Sequence, residues 1–109
     1  MARHQNKLKN LSRCKYAFRH QRKIIELVNE LSMLAQDTVA KLSFYNSLTI
    51  MGNNRVYNAE YNNRKVSILI NDETISFDFG NHTAISKALD KANEKDFEEF
   101  IKKVKELYL

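Results

Sequence analysis

Apolar residues recur at three- and four-residue spacing from Ile24 onward, as Ile24, Leu27, Val28, Leu31, Leu34, Ala35, Val39 and Leu42. At 100° per residue, Ile24, Leu27, Val28, Leu31, Leu34, Ala35 and Leu42 fall within an arc of about 120°, the width of a core-facing helical stripe. Lys15, Arg19 and Arg22 fall on the opposite side. With Ser12 as a candidate N-cap, the pattern predicts a helix over residues 12–42, about 45 Å long. That exceeds what so small a domain needs, so its first half is expected to project.

After Ser43 the period changes from 3.6 to 2. Ser47–Met51, Arg55–Tyr61, Arg64–Ile70 and Glu73–Phe79 read as four strands. They are separated by Gly52-Asn53-Asn54, Asn62-Asn63 and Asn71-Asp72, residues that tolerate the positive φ of tight hairpins. Two-residue loops at the last two sites pair Ala59 with Val66, Tyr57 with Ile68, Ile68 with Ile75 and Val66 with Phe77. One face then carries Tyr57, Ala59, Tyr61, Val66, Ile68, Ile70, Ile75, Phe77 and Phe79. The other is polar apart from Val56 and Leu69, the signature of an antiparallel sheet with one wet face. On that polar face Lys65 is expected to lie beside both Glu60 and Asp78.

Beyond Gly80, the stripe Ile85, Ala88, Leu89 and Ala92 suggests a short helix capped by Asn81 or Thr83, broken at Asn93. Phe97, Phe100, Ile101, Val104, Leu107 and Tyr108 suggest a final helix. Its acids come first (Glu94, Asp96, Glu98, Glu99) and its lysines last (Lys102, Lys103, Lys105), as the macrodipole prefers. The expected fold is therefore α+β: a long N-terminal helix, an antiparallel four-stranded meander, and one or two C-terminal helices on one sheet face. Residues 1–11 form a basic arm, expected to be flexible, and 12–109 a single domain.

Composition changes this picture little, and charge changes it substantially. The chain has 109 residues and one cysteine, so no internal disulfide forms and a reducing, cytoplasmic compartment is expected. No apolar run approaches the ~18 residues of a membrane span. Up to Ile25 there are eight cations (Arg3, Lys7, Lys9, Arg13, Lys15, Arg19, Arg22, Lys23) and no acid; residues 26–109 hold ten cations and thirteen acids, which gives the overall +5. Ordinary surface helices mix signs. A run of this purity, interleaved with His4, Tyr16, Phe18 and His20, suits phosphates and bases or an acidic protein surface. These eight cations are the expected binding residues.

Catalytic signatures are missing from the sequence. The two glycines stand alone, HExxH, CxxC and GxSxG are absent, and Cys14 and His20 lack metal-ligand spacing. The enzymatic alternative is a nuclease built on Glu60, Asp78 and Lys65, which this register sets side by side. No catalytic residue, metal or cofactor is expected. An exposed stripe of Ile24, Leu31 and Leu42 is the expected route to a homo-oligomer. The order helix, strands, helix is also that of double-stranded-RNA-binding domains, but the segment entering the second helix, Gly80 to Lys87, carries one lysine where that family needs a cluster.

The basic start Met1-Ala2-Arg3-His4-Gln5-Asn6-Lys7, the run Arg19-His20-Gln21-Arg22-Lys23 entering a long helix, and the Asn-rich sheet with a Lys/Glu-rich end together resemble a known group. These are the small proteins that phages and mobile elements of AT-rich Firmicutes deploy against host systems, typified by the type II anti-CRISPR inhibitors. The resemblance implies a non-enzymatic inhibitor of a host nucleic-acid-handling effector. Its partner would be a CRISPR-type effector or the effector's guide RNA, in the host cytoplasm. The basic end suits guide-RNA or protein contact better than mimicry of DNA.

Overall fold

The computed structural model describes the backbone from Ala2 to Leu109 and side chains from Gln21 onward. A single helix, α1 (Ala2–Leu42), leads into strands β1 (Asn46–Met51), β2 (Asn54–Tyr61), β3 (Arg64–Ile70), β4 (Thr74–Asp78) and β5 (Ala84–Ala88). A 3-10 turn at Leu89–Lys91 and a second helix, α2 (Glu94–Leu107), complete the chain. The sheet order is β1-β2-β3-β4-β5, antiparallel throughout. Both helices lie on one face of it.

The predicted stripe of α1 is the one that turns inward. Val28, Leu31, Ala35, Val39 and Leu42 are buried, while Ile24, Leu27 and Leu34 flank them. Because Leu31 and Leu42 are covered by the chain's own sheet and Ile24 is half-covered, the expectation that this stripe seats a second copy is corrected. α1 starts ahead of the Ser12 cap position, at Ala2. The expected arm, residues 1–11, lies where side chains are outside the described residues.

Tyr57, Ala59, Val66, Ile68, Ile70, Ile75, Phe77 and Phe79 supply the sheet side of the core, as the alternation predicts. Asn62 (φ 48°) and Asn63 (φ 64°) take the left-handed conformation at the β2–β3 turn, and Tyr57↔Ile68 and Ala59↔Val66 are paired as expected. The β3–β4 register differs by two residues: Ile68 faces Phe77 and Ile70 faces Ile75. The cause is Asn71, whose Oδ1 accepts the N–H groups of Glu73 and Thr74, both at 2.8 Å, moving the turn onto Asp72-Glu73. A shift of two preserves which face each residue occupies, so the core is unchanged.

The segment predicted as a short helix from Thr83 is instead β5 plus the 3-10 turn. Four apolar positions over eight residues are too few to separate a helix from a strand. The free edge of β4 decides between them, since it carries Phe77 of the core and gains a ladder of backbone hydrogen bonds from β5. Gly80 (φ 78°) and His82 (φ 65°) make the reversal, and Thr83 C=O accepts the Phe79 N–H at 3.1 Å; Asn81 and Thr83 therefore belong to a hairpin. Leu89, just past β5, is buried.

The final helix forms as predicted. Asn93 Oδ1 accepts the Lys95 N–H, and Asp96 Oδ2 accepts the Asn93 N–H, so a capping box sets its start. Phe97, Phe100 and Val104 are buried, with Phe77–Phe97 edge-to-face at 5.3 Å and Phe79–Phe100 at 5.2 Å between centroids. The Tyr108 hydroxyl donates to the Phe79 carbonyl, and Asn62 Nδ2 donates to the Tyr108 carbonyl at 2.6 Å, fastening the end of the chain to the sheet.

Candidate nucleic-acid interface

Residue 42 closes α1 against the sheet, whereas its described buried stripe reaches back only to Val28 and, half-covered, to Ile24. A helix of 41 residues is about 60 Å long at 1.5 Å per residue. The molecule measures 69 × 24 × 23 Å, and its long dimension is that of the helix. The sheet thus grips the C-terminal half of α1, and the half bearing the cations is carried outward along its axis.

The eight expected binding residues divide into two groups. Arg3, Lys7, Lys9, Arg13, Lys15 and Arg19 lie on the helical backbone of α1, with their side chains outside the described residues, as are those of His4, Cys14, Tyr16, Phe18 and His20. Arg22 and Lys23 are described and exposed. Arg22 Nε lies 3.8 Å from Glu26 Oε1, one turn on, in a pair whose side chains are 75% and 68% exposed; it contributes a few tenths of a kcal/mol at most and leaves the guanidinium free to exchange partners. Lys23 borders a groove of about 430 Å³ between α1, the β3–β4 turn and the 3-10 turn, whose floor is Ile24, Leu27 and Leu89 and whose rim includes Asp72, Glu73 and Asp90. The cationic run therefore ends, at Lys23, beside three carboxylates of the body, Asp72, Glu73 and Asp90.

On the polar face, Glu60 is opposite Lys65, as expected. Asp78 is opposite Ser67, and its Oδ1 accepts the Gly80 N–H at 2.8 Å, so the expected placement of Lys65 beside Asp78 is corrected and the three residues form no common site. Among the described residues, no three His, Cys, Asp or Glu side chains gather as metal ligands, and no helix is long and apolar enough to cross a membrane.

Two features escape the sequence reading. Phe44 and Tyr45, between α1 and β1, are 102% and 79% exposed beside a groove of about 520 Å³ that also touches Glu60 and Lys65. Leu48, Ile50 and Met51 of β1 are exposed as well. The sequence signal for both is the absence of charge from Leu42 to Asn54, thirteen residues in a chain that is 28% charged. At Asp96, burial pushes the carboxyl up, but the hydrogen bond from Lys87, the Asn93 N–H and the charge of Lys87 outweigh this and hold it below the usual carboxylate range. It ties the start of α2 to β5 through Lys87. Comparison with protein-family models, with curated proteins and with solved structures found no match.

Proposed function

We propose that this chain is a non-catalytic nucleic-acid-binding protein, in which the projecting half of α1 lies along phosphates while the sheet and α2 serve as its mount. The observation that carries the reading is the length of α1 beyond its described buried stripe in a molecule 69 Å long, taken with eight cations and no acid before Glu26. Residues 2–21 extend about 30 Å, close to one turn of a nucleic-acid duplex, and bear six of the eight cations. The carboxylates Asp72, Glu73 and Asp90 beside Lys23 favour contact through the helix over contact through the body.

Fluorescence anisotropy with labelled RNA and DNA across a salt series tests this. The logarithm of the association constant is expected to fall linearly with the logarithm of salt, by about 0.7–0.9 per phosphate contact. Reversal of Arg19 and Arg22 to Glu is expected to weaken binding by more than about tenfold, since it removes two contacts and introduces two repulsions, with the melting temperature unchanged. Binding that is insensitive to both overturns the reading. Guide RNA of a host effector, which the resemblance to mobile-element inhibitors implies, is the first polyanion to try. Nuclease-sensitive recovery of such an effector with the tagged protein extends the proposal to inhibition, and recovery of bulk nucleic acid alone restricts it to an accessory role.

A further inference from the structure

The two edges of the sheet are built differently. β5 is short and carries Lys87, held by Asp96 of α2, a usual guard against pairing with another strand. β1 has no charge and no proline, and α1 lies chiefly over β2 and β3, leaving β1 uncovered. Leu48 and Ile50 share the core face with Tyr57 and Ala59, yet are 44% and 65% exposed.

The backbone of β1 adds a constraint. The Glu60 N–H donates to Tyr45 C=O at 3.1 Å, so in the alternating antiparallel ladder Ser47 and Thr49 also turn their polar groups toward β2. Asn46, Leu48 and Ile50 turn theirs outward, to the free edge. Three outward-directed residues centred on Leu48 suit a two-fold axis through Leu48.

We propose that β1 is a homodimer edge: two copies pair their β1 strands antiparallel about Leu48, joining two five-stranded sheets into one. In this register Leu48 meets Leu48 of the second copy, Asn46 meets Ile50, and Tyr45 meets Met51 on the opposite face. Every exposed apolar side chain of the strand then gains an apolar or neutral neighbour, and no like charges meet. Tyr45, Leu48, Ile50 and Met51, all exposed in the single chain, lie opposite residues of the second copy in this register. A foreign strand would satisfy the edge hydrogen bonds equally, but a second copy brings an uncharged strand of the same backbone phase, so the outward groups of Asn46, Leu48 and Ile50 meet those of Ile50, Leu48 and Asn46 in turn. The axis stands normal to the sheet, so both α1 helices lie on one face, run antiparallel and send their cationic halves in opposite directions, which separates the like charges.

Sedimentation of the full-length, nuclease-treated protein from micromolar to near-millimolar concentration is expected to show a reversible dimer. Leu48→Lys places two cations at the axis and is expected to weaken association more than about tenfold, with an unchanged circular-dichroism spectrum. In a Cys14→Ser background, Leu48→Cys is expected to oxidise to a covalent dimer, because directly hydrogen-bonded partners have Cα atoms about 5.5 Å apart, within disulfide range. Ser47→Cys, which faces Thr49 of the second copy, is expected not to. A monomer throughout, a dimer indifferent to Leu48→Lys, or equal crosslinking from position 47 overturns the proposal. Loss of nucleic-acid binding leaves these outcomes unaffected, so the two readings fail separately.

Discussion

Gly80 and Gly52 both adopt positive φ, 78° and 59°, but for different reasons. A Cβ at Gly80 would lie 2.2 Å from the Lys65 carbonyl oxygen, whereas one at Gly52 would meet nothing within 4 Å. Ala at position 52 bears only the left-handed penalty of about 1 kcal/mol. Ala at position 80 must also displace the β3 backbone, and Gly80→Ala is expected to destabilise by about 2–4 kcal/mol. Urea denaturation of the two variants checks the ordering, and equal losses would show that β3 yields freely at Lys65. The asparagines divide similarly. The positive φ at Asn62 and Asn63 is legible from residue type, but the cap that Asn71 places on Glu73 and Thr74 is not. Asn is equally at home in a turn's interior and at its first position, and only the finished hairpin reveals which was chosen.

Elements with a long, clean period were legible, and short ones were settled by their neighbours. The stripes of α1 and α2 and the alternation of β2 and β3 each contain enough positions to exclude the other period. Residues 84–91 do not, and the hydrogen-bonding demand of β4's edge overrode a local pattern that equally suited a helix. At the start of α2, Asp96 joins the cap to the Lys87 ion pair on β5 and so ties helix to edge strand. Its folded pKa lies below the unfolded value of about 3.9. The stabilisation is therefore fully present above that pH and is lost as pH falls through the lower, folded value. Asp96→Asn retains an oxygen for the Asn93 N–H but gives Lys87 no charge. Its stability deficit, about 1 kcal/mol at neutral pH, is expected to shrink steadily in denaturation curves taken at progressively lower pH below 4. A deficit constant with pH would place the stabilisation in packing rather than charge.

Taken whole, the molecule is a rod with its charge segregated by half: a cationic helix at one end and a mildly acidic α+β body at the other. The segregation was legible in the order of residues alone, because charge needs no folding to be counted. The neutral strand at the sheet's edge was not, since the same apolar alternation marks a covered strand and an uncovered one; only the position of α1 over β2 and β3 separates them. The order β1-β2-β3-β4-β5 also bears on how the chain reaches this state. Each strand's partner is its neighbour in sequence, so the sheet closes through four short hairpins and little loop entropy is spent before its contacts form. With no proline anywhere in the chain, no slow isomerisation interrupts the search. Stopped-flow refolding at high dilution is accordingly expected to finish within about a second and without a slower phase; a tens-of-seconds phase there would mean that the long helix first docks in a non-native place. A protein built this way can be made quickly and in one piece, with its cationic helix held out from the moment the meander closes.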